Sequence, residues 1–152
     1  MYKHILFATE LIETKNHIEE KVAELQQLTQ AKLSVIHVVE PIPNDYYGGV
    51  YGTIPGLDPV DSLSTTKLLE TQAKKLLQPL VKRLNIAEQA LHIPIGQTSG
   101  EILSFAEKEN VDLIITGSHG VHGLKLLLGS TANAILHGAK CDVLAVRYKD
   151  KK

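Results

Sequence analysis

The chain has 152 residues, 43% of them hydrophobic, which is enough to bury one core and too few for two comfortable domains. Its formal charge is −1, with 16 basic and 17 acidic side chains interspersed, which excludes a broad basic surface for nucleic acid or an anionic membrane. We therefore expect a single domain over residues 1–152 that binds neither nucleic acid nor membrane.

The cysteine content and the apolar segments bear on where the protein works. Cys141 stands alone in the sequence, which excludes an internal disulfide and fits a reducing compartment. The start of the sequence lacks the apolar run of a signal peptide, and no run of about 18 apolar residues could span a membrane. We therefore expect a cytoplasmic protein.

Short apolar runs alternate with helical patterns in the first half of the chain. Strands are predicted at residues 4–8 (HILFA) and 33–40 (LSVIHVVE), because uniformly apolar runs are typical of strands covered on both faces. A helix is predicted over residues 12–30, where apolar residues recur at three- and four-residue steps. Residues 41–60 hold four of the six prolines and predict a long loop, which is either functional or a disordered insertion.

The alternation continues in the second half. A helix is predicted over about residues 64–84, with a kink or a restart near Leu76 because Pro79 interrupts it. A weaker strand follows at residues 90–96. Residues 98–101 (TSGE) place a hydroxyl three residues before an acid, so Thr98 and Glu101 predict a capping box that opens the next helix.

Two further strands, VDLIITG at residues 111–117 and CDVLAVR at residues 141–147, flank a glycine-rich stretch and the helical segment STANAILHG. Strands alternate with helices throughout, and nearly all strands are uniformly apolar. This pattern predicts an α/β fold with three layers, in which helices cover both faces of a doubly wound parallel sheet.

The glycine-rich stretch, residues 116–138, is the candidate ligand site. It holds five of the 11 glycines and lies where a strand passes into a helix. In doubly wound folds, ligands bind beyond the carboxyl ends of the strands, and helix N-termini there attract anions. This geometry would bring Thr9, Glu10, Val38 and Gly117 close together.

Three familiar signatures do not match this stretch. Gly117, Gly120 and Gly123 are spaced Gly-x-x-Gly-x-x-Gly, which differs from the dinucleotide fingerprint G-x-G-x-x-G. No lysine precedes Ser130, as a Walker A loop requires. Ser118 lacks the G-x-S-x-G context of an α/β-hydrolase nucleophile.

The combination of motifs, taken in order, resembles the universal stress protein family over the whole chain. The resemblance implies a Rossmann-like fold of the adenine nucleotide alpha hydrolase type, with strand order 3-2-1-4-5. The segments that carry it are YKHILFATEL (2–11), VIHVVE (35–40), VDLIITGSHG (111–120), GST (129–131) and CDVLAVR (141–147).

Nucleotide-binding members of that family hold the ribose and phosphates of ATP with the pattern Gly-x-x-Gly, nine residues, Gly-Ser/Thr. The resemblance implies that this chain has a regulatory role in the stress response and binds ATP, alone or with Mg²⁺. The implied binding residues are Thr9, Glu10, Val38, Thr116, Gly117, His119, Gly120, Gly129, Ser130 and Thr131.

Two departures from the pattern leave an alternative open. Only eight residues separate Gly120 from Gly129, and Glu10 stands where nucleotide-binding members usually carry Asp. One branch of the family does not bind ATP. The alternative is a dimeric interaction module of the same fold, docking through the loop that contains Tyr46 and its neighbouring tyrosines.

Enzymatic and metal-binding interpretations have less support. Glu10 and His119 could form an acid/base pair, but no substrate is indicated, so no catalytic residue is predicted and turnover is at most slow ATP hydrolysis. His119 and His122, even with His137 and Cys141 nearby, lack an acidic or second cysteine ligand, so no metal site is predicted.

A homodimer is expected as well. The stretch VLAVR, from Val143 to Arg147, would be an edge strand whose unpaired backbone groups need covering. Antiparallel pairing of this strand with its copy would cover them with two-fold symmetry, as the family resemblance also implies.

Overall fold

The computed structural model describes residues 1–11, 16–41, 62–118 and 128–147, in which strands and helices alternate along the chain. The strands are β1 (His4–Ala8), β2 (Lys32–Ile36), β3 (Leu91–His92), β4 (Leu113–Gly117) and β5 (Asp142–Val146). The helices are α1 (Asn16–Thr29), α2 (Ser62–Arg83), α3 (Thr98–Lys108) and α4 (Ser130–Gly138), with a short 3₁₀ turn at Glu88–Ala90.

The five strands form one parallel sheet in the order β3-β2-β1-β4-β5. β1 lies at the centre, where Ala8 aligns with Ile36 of β2 and with Thr116 of β4. The chain proceeds from β1 to β2 on one side and later returns to β4 on the other, so the winding direction reverses between β1 and β4. The predicted three-layer fold and the strand order 3-2-1-4-5 are confirmed.

The sheet separates two buried apolar clusters. Ile5 and Phe7 of β1 belong to the cluster beneath α1 and α2, whereas Leu6 and Ala8 belong to the cluster beneath α3 and α4. Successive residues of a strand point to opposite faces, and all five residues of β1 are buried. A strand covered on both faces needs apolar residues at nearly every position, which explains the uniformly apolar runs in the sequence.

Helix α2 continues without a break through Pro79, so the predicted restart near Leu76 is wrong. A proline inside a helix removes a backbone hydrogen bond and clashes with the preceding turn, at a cost of about 3 kcal/mol. Leu77 and Leu80, on either side of Pro79, are both buried. Each contributes about 1.5–3 kcal/mol through burial, so tertiary packing outweighs the local penalty.

Strand β3 is shorter than the predicted strand at residues 90–96. It pairs with β2 over Leu91–His92, and a separate parallel bridge joins Val39 to Ile95. Between them lies Pro94, which has no N–H to donate, although its carbonyl accepts a hydrogen bond from Val39 N at 2.9 Å. The N and C=O of a strand residue point to the same side, so the missing N–H faces β2, and the continuous β2–β3 pairing ends before Pro94.

The start of α3 is capped differently from the prediction. Gln97, rather than Thr98, is the N-cap residue, and its side-chain oxygen accepts a hydrogen bond from Gly100 N at 2.6 Å. Thr98 instead donates from its backbone N and its Oγ1 to Glu40 Oε1, at 3.1 and 2.6 Å. The helix therefore begins where the sequence predicts it. The carboxylate that binds Thr98 N belongs to Glu40, however, and not to Glu101 of the predicted capping box.

The Glu40 carboxylate gives α3 a pH-dependent contribution to stability. The hydrogen bonds from the Thr98 side chain and then its backbone lower the pKa of Glu40 from 4.5. The contribution is therefore present above pH 4.5 and is lost as the pH falls through the lower folded-state pKa. We expect Glu40→Gln to reduce the free energy of unfolding at pH 7 by about 0.5 kcal/mol, a capping value discounted for solvent exposure.

Urea unfolding at pH 7, 5 and 3.5 measures this effect. The difference between the native protein and Glu40→Gln should shrink as the pH falls below 4.5, because the contribution of the carboxylate is lost as it becomes protonated. Glu24→Gln, on the exposed surface of α1, is the control for losing one negative charge. A Glu40→Gln difference that is constant with pH would contradict the assignment.

An ion pair joins the helices on the other face of the sheet. Arg83, at the end of α2, donates from Nε and Nη2 to Glu19 Oε2 and Oε1 of α1, at 2.6 and 3.0 Å. The Glu19 side chain is only 10% exposed, whereas that of Arg83 is 50% exposed. The two-pronged geometry fixes how α1 and α2 lie against each other, and it requires a guanidinium rather than an ammonium group.

Replacing the arginine should therefore destabilise the fold. We expect Arg83→Met to lower the free energy of unfolding by about 1–2 kcal/mol, between the values for exposed and for buried pairs. Arg83→Lys should recover part of this loss. Lys82→Met, at the exposed neighbouring position, is the control for removing a positive charge, and an equal loss in both methionine variants would show that the pair contributes nothing.

Candidate functional site

The carboxyl ends of β1, β2 and β4 lie side by side, next to the place where the winding reverses. Thr9, which follows β1, donates its backbone N–H to Ile36 O at 3.0 Å. Ser118, which follows β4, donates its backbone N–H to Val146 O at 2.9 Å. The side of the sheet marked by Thr9, Val38 and Gly117 is called the carboxyl edge below.

The beginning of α4 is held against this edge. Gly129 donates its backbone N–H to Ser118 O at 2.8 Å, which brings the start of the helix to the end of β4. Gly129 is also the N-cap residue, so no side chain at that position can satisfy the first N–H groups of the helix. Ser130 is exposed and Thr131 is half-buried. The first turn of α4 thus presents backbone N–H groups, two hydroxyls and the positive end of the helix dipole at the carboxyl edge.

Helix α3 begins at the same edge, but its N-terminus is already satisfied. Gly96 donates its N–H to Val39 O at 3.0 Å, which places the start of α3 beside the end of β2. Gln97 Oε1 and Glu40 Oε1 then accept from Gly100 N and Thr98 N. A negative charge from the chain itself therefore lies at the N-terminus of α3, whereas at α4 the N-cap glycine has no side chain to supply one.

The end of β2 forms the remaining side of the site. His37 and Val39 donate their N–H groups to His92 O and Pro94 O of the β3 segment, at 3.0 and 2.9 Å. Because backbone groups alternate in direction along an extended chain, the N–H and C=O of Val38 face the opposite side, above the end of β1. The Val38 side chain is buried.

His37 makes a contact that the sequence did not predict. Its Nδ1 lies 2.9 Å from Thr9 O, so its ring links the residue after β2 to the residue after β1. A histidine next to Val38 was visible in the sequence, but its partner could be found only once the register of β1 and β2 was known.

Eight of the ten predicted site residues can be placed, and they lie at the carboxyl edge or in the first turn of α4. Thr9 is buried and Glu10 half-buried after β1, while Thr116 aligns with Ala8 in the last part of β4. His119 and Gly120 lie outside the described residues, so their roles stay predictions. Residues 42–61, which include the tyrosines of the predicted docking loop, lie outside them as well.

His4 and Cys141 lie away from the candidate site and have structural roles. His4 is buried, with Nδ1 3.1 Å from Glu109 O and Nε2 2.9 Å from Ser34 Oγ, so it is a satisfied core residue. Cys141 is half-buried before β5. Burial first, and then the negative charges of Asp142 and Asp112, raise the pKa of its thiol, which disfavours the nucleophilic thiolate.

The ranges that the structure covers contain neither a metal-ligand cluster nor a membrane-spanning helix. No three histidine, cysteine or acidic side chains in these ranges come together as metal ligands would. Among the helices described, none is both long enough and apolar enough to cross a lipid bilayer.

Comparison with known proteins shows the same relationship from sequence and from structure. Residues 1–147 match the model of the universal stress protein family. The chain is 44% identical to universal stress protein A homolog 2 of Coxiella burnetii over 149 residues, which cover 97% of each chain. It is 31% identical to universal stress protein MJ0577 of Methanocaldococcus jannaschii over 159 residues, with 99% of this chain and 98% of that protein covered.

Solved structures agree with these matches. The structure of MJ0577 superposes with a TM-score of 0.74 at 27% identity and covers 99% of both chains. A universal stress protein in complex with cAMP superposes with a TM-score of 0.66 over 97% of this chain and 98% of the other, and at 15% identity this likeness shows the fold alone. On its sequence, its strand order and these relatives, the chain belongs to the universal stress protein family.

Proposed function

We propose that this protein binds an adenine nucleotide, ATP with or without Mg²⁺, at the carboxyl edge, and that nucleotide binding serves a regulatory role in the stress response. One observation carries the proposal. The hydrogen bond from Gly129 N–H to Ser118 O holds a glycine-capped helix N-terminus next to the ends of β1, β2 and β4. The backbone N–H groups and the positive dipole end of such a helix N-terminus favour binding of a phosphate group.

The charges at this edge favour one place for the phosphates. The N-terminus of α3 is occupied by the Glu40 carboxylate and the Gln97 side chain, which would repel or block an anion. At α4 the N-cap residue is Gly129, which has no side chain, and no described residue places a carboxylate or an amide oxygen on the first turn. The phosphates therefore lie at Ser130 and Thr131, where N–H groups and hydroxyls can donate to phosphate oxygens.

The nucleoside lies toward β1 and β2 in this arrangement. Glu10, half-buried at the end of β1, accepts hydrogen bonds from ribose hydroxyls, and the backbone of Val38 contacts the base. His119 and Gly120 complete the site as the resemblance to nucleotide-binding family members implies. The cAMP complex of another protein with this fold supports the choice of an adenine nucleotide. Binding and orientation need no covalent step, so the proposal assigns no catalytic residue.

Ser130 provides a direct test of phosphate binding. We expect Ser130→Asp to raise the Kd for ATP at least about tenfold, because a carboxylate at this position repels phosphate while remaining compatible with the helix dipole. The Kd for adenosine, which has no phosphate, should change by less than about twofold. Isothermal titration calorimetry measures the first, and chemical-shift titration measures the weaker adenosine complex.

Ser130→Asn is the matched control, because it changes the size of the side chain in the same way without adding charge. Its ATP affinity should stay close to that of the native protein. Absence of saturable ATP binding to the native protein overturns the proposal. A chain that fails to bind ATP but still assembles with itself would instead be the interaction module of the same fold.

We also infer that the protein is a cytoplasmic homodimer that pairs through β5. Asp142 N and Val146 O bond to Asp112 O and Ser118 N on the β4 side, so the alternate N–H groups of Val143 and Ala145 point away from β4. β5 is an edge of the sheet. An edge strand of this length favours pairing with a second copy unless it is covered.

Removing one outward-facing donor tests this assembly. Ala145→Pro deletes an N–H that points away from β4, and edge strands tolerate proline at such positions. We expect the native protein to have twice the mass of one chain in sedimentation analysis and Ala145→Pro to have the mass of one chain. Circular dichroism should show the same fold for both. A native protein with the mass of a single chain would contradict pairing through β5.

A further inference from the structure

Pairing between β1 and β2 stops abruptly at the carboxyl edge. The last backbone bond of this pair runs from Thr9 N–H to Ile36 O, at 3.0 Å. In a regular parallel ladder the next bond would run from Val38 N–H to Thr9 O. In the parts of the chain that the structure describes, no backbone hydrogen bond joins Val38 to Thr9.

The imidazole of His37 takes the place of the missing bond. Its Nδ1 lies 2.9 Å from Thr9 O, the acceptor that Val38 N–H would otherwise use. A carbonyl oxygen can only accept, so Nδ1 carries the proton and donates it. Both backbone polar groups of Thr9 are thus bound to the end of β2, but through Ile36 O and the His37 ring rather than through Val38.

The other edge of the same segment is fixed. His37 N–H and Val39 N–H donate to His92 O and Pro94 O, and Val39 O accepts from Gly96 N at 3.0 Å. Val38 therefore cannot turn its backbone toward β3, where its neighbours are already bound. Its N–H and C=O face the end of β1, one as a donor and the other as an acceptor.

Such a donor and acceptor pair matches one purine edge better than the other. Adenine offers a ring nitrogen that accepts and an exocyclic amine that donates, side by side, whereas guanine presents a ring N–H and a carbonyl with the opposite polarity. A bidentate contact of this kind discriminates between the two bases by about 5- to 150-fold. It requires that Val38 N–H is not already bound within the sheet.

We propose that His37 is a positioning residue that keeps the backbone edge of Val38 open for the base, by occupying Thr9 O in place of Val38 N–H. The inference rests on the proposed nucleotide function and extends it. His37 does not contact the nucleotide in this arrangement. It determines affinity and base selectivity because it prevents the hydrogen bond from Val38 N–H to Thr9 O, which would otherwise be the last bond of the β1–β2 pair.

Substitution of His37 tests the proposal in two steps. His37→Phe keeps a ring but removes the donor, so Val38 N–H can bond to Thr9 O. We expect the Kd for ATP to rise about tenfold and the preference for ATP over GTP to fall toward one. His37→Asn carries an amide nitrogen near the position of Nδ1, so it should restore ATP affinity to within about threefold of the native value and restore the selectivity.

A spectroscopic measurement follows the bond itself without nucleotide. In His37→Phe, NMR should detect a scalar coupling across a hydrogen bond between the Val38 amide nitrogen and the Thr9 carbonyl carbon. The native protein and His37→Asn should lack this coupling. A merely structural role for His37 would reduce the stability of the phenylalanine variant without creating the new coupling or changing the ATP to GTP ratio.

Three results would overturn the inference. They are a Val38–Thr9 coupling already present in the native protein, native affinity and selectivity in His37→Phe, and a His37→Asn variant as impaired as His37→Phe. If the native protein binds no nucleotide, the proposed function fails, and the coupling measurement decides the role of His37 on its own.

Discussion

The central strands β1 and β4 are covered by helices on both faces, and this double burial restricts where polar groups can lie. A polar side chain within these strands needs a partner inside the protein, as His4 has in Ser34 Oγ and Glu109 O. Most hydrogen-bonding groups available to a ligand therefore lie where the strands end. Parallel strands end together, so these groups collect along one edge of the sheet, and the reversal of winding between β1 and β4 opens that edge.

The two helices that begin at the carboxyl edge, α3 and α4, differ in how the N–H groups of their first turns are bound. α3 receives a glutamine and a carboxylate from the chain, which complete its first turn internally. α4 begins at a glycine, which has no side chain to cap the helix, and among the described residues the backbone N–H of Gly129 bonds to Ser118 O. The N–H groups of the first turn thus bond to side chains of the chain itself at α3, whereas at α4 they are the groups that the proposed phosphate contacts would use. Backbone N–H groups of a first helical turn can either stabilise the fold or bind a ligand. The side chains beside each helix determine which of the two they do.

The sequence predicted the parts of the structure that depend on local pattern. The run HILFA predicted the limits of β1, because a strand buried on both faces is apolar at nearly every position. Interactions between residues far apart in the sequence could not be predicted from a local pattern. The contacts of His37 with Thr9 and of Glu40 with Thr98 join residues 28 and 58 positions apart. The unbroken path of α2 through Pro79 depends on buried leucines whose partners belong to other elements. The glycine pattern located the candidate site, but the parts of it at His119 and Gly120 stay predictions.

The Glu40 carboxylate has a consequence beyond capping α3. It lies two residues after Val38, and the bonds from Thr98 lower its pKa, so it stays ionised at neutral pH. The carboxyl edge therefore carries a fixed negative charge at its β2 end and the positive end of a helix dipole at α4. These opposite charges create an electric field along the edge. A ligand with one anionic end and one uncharged end has a single favoured orientation in that field, with its anionic end at α4, before any specific contact is made.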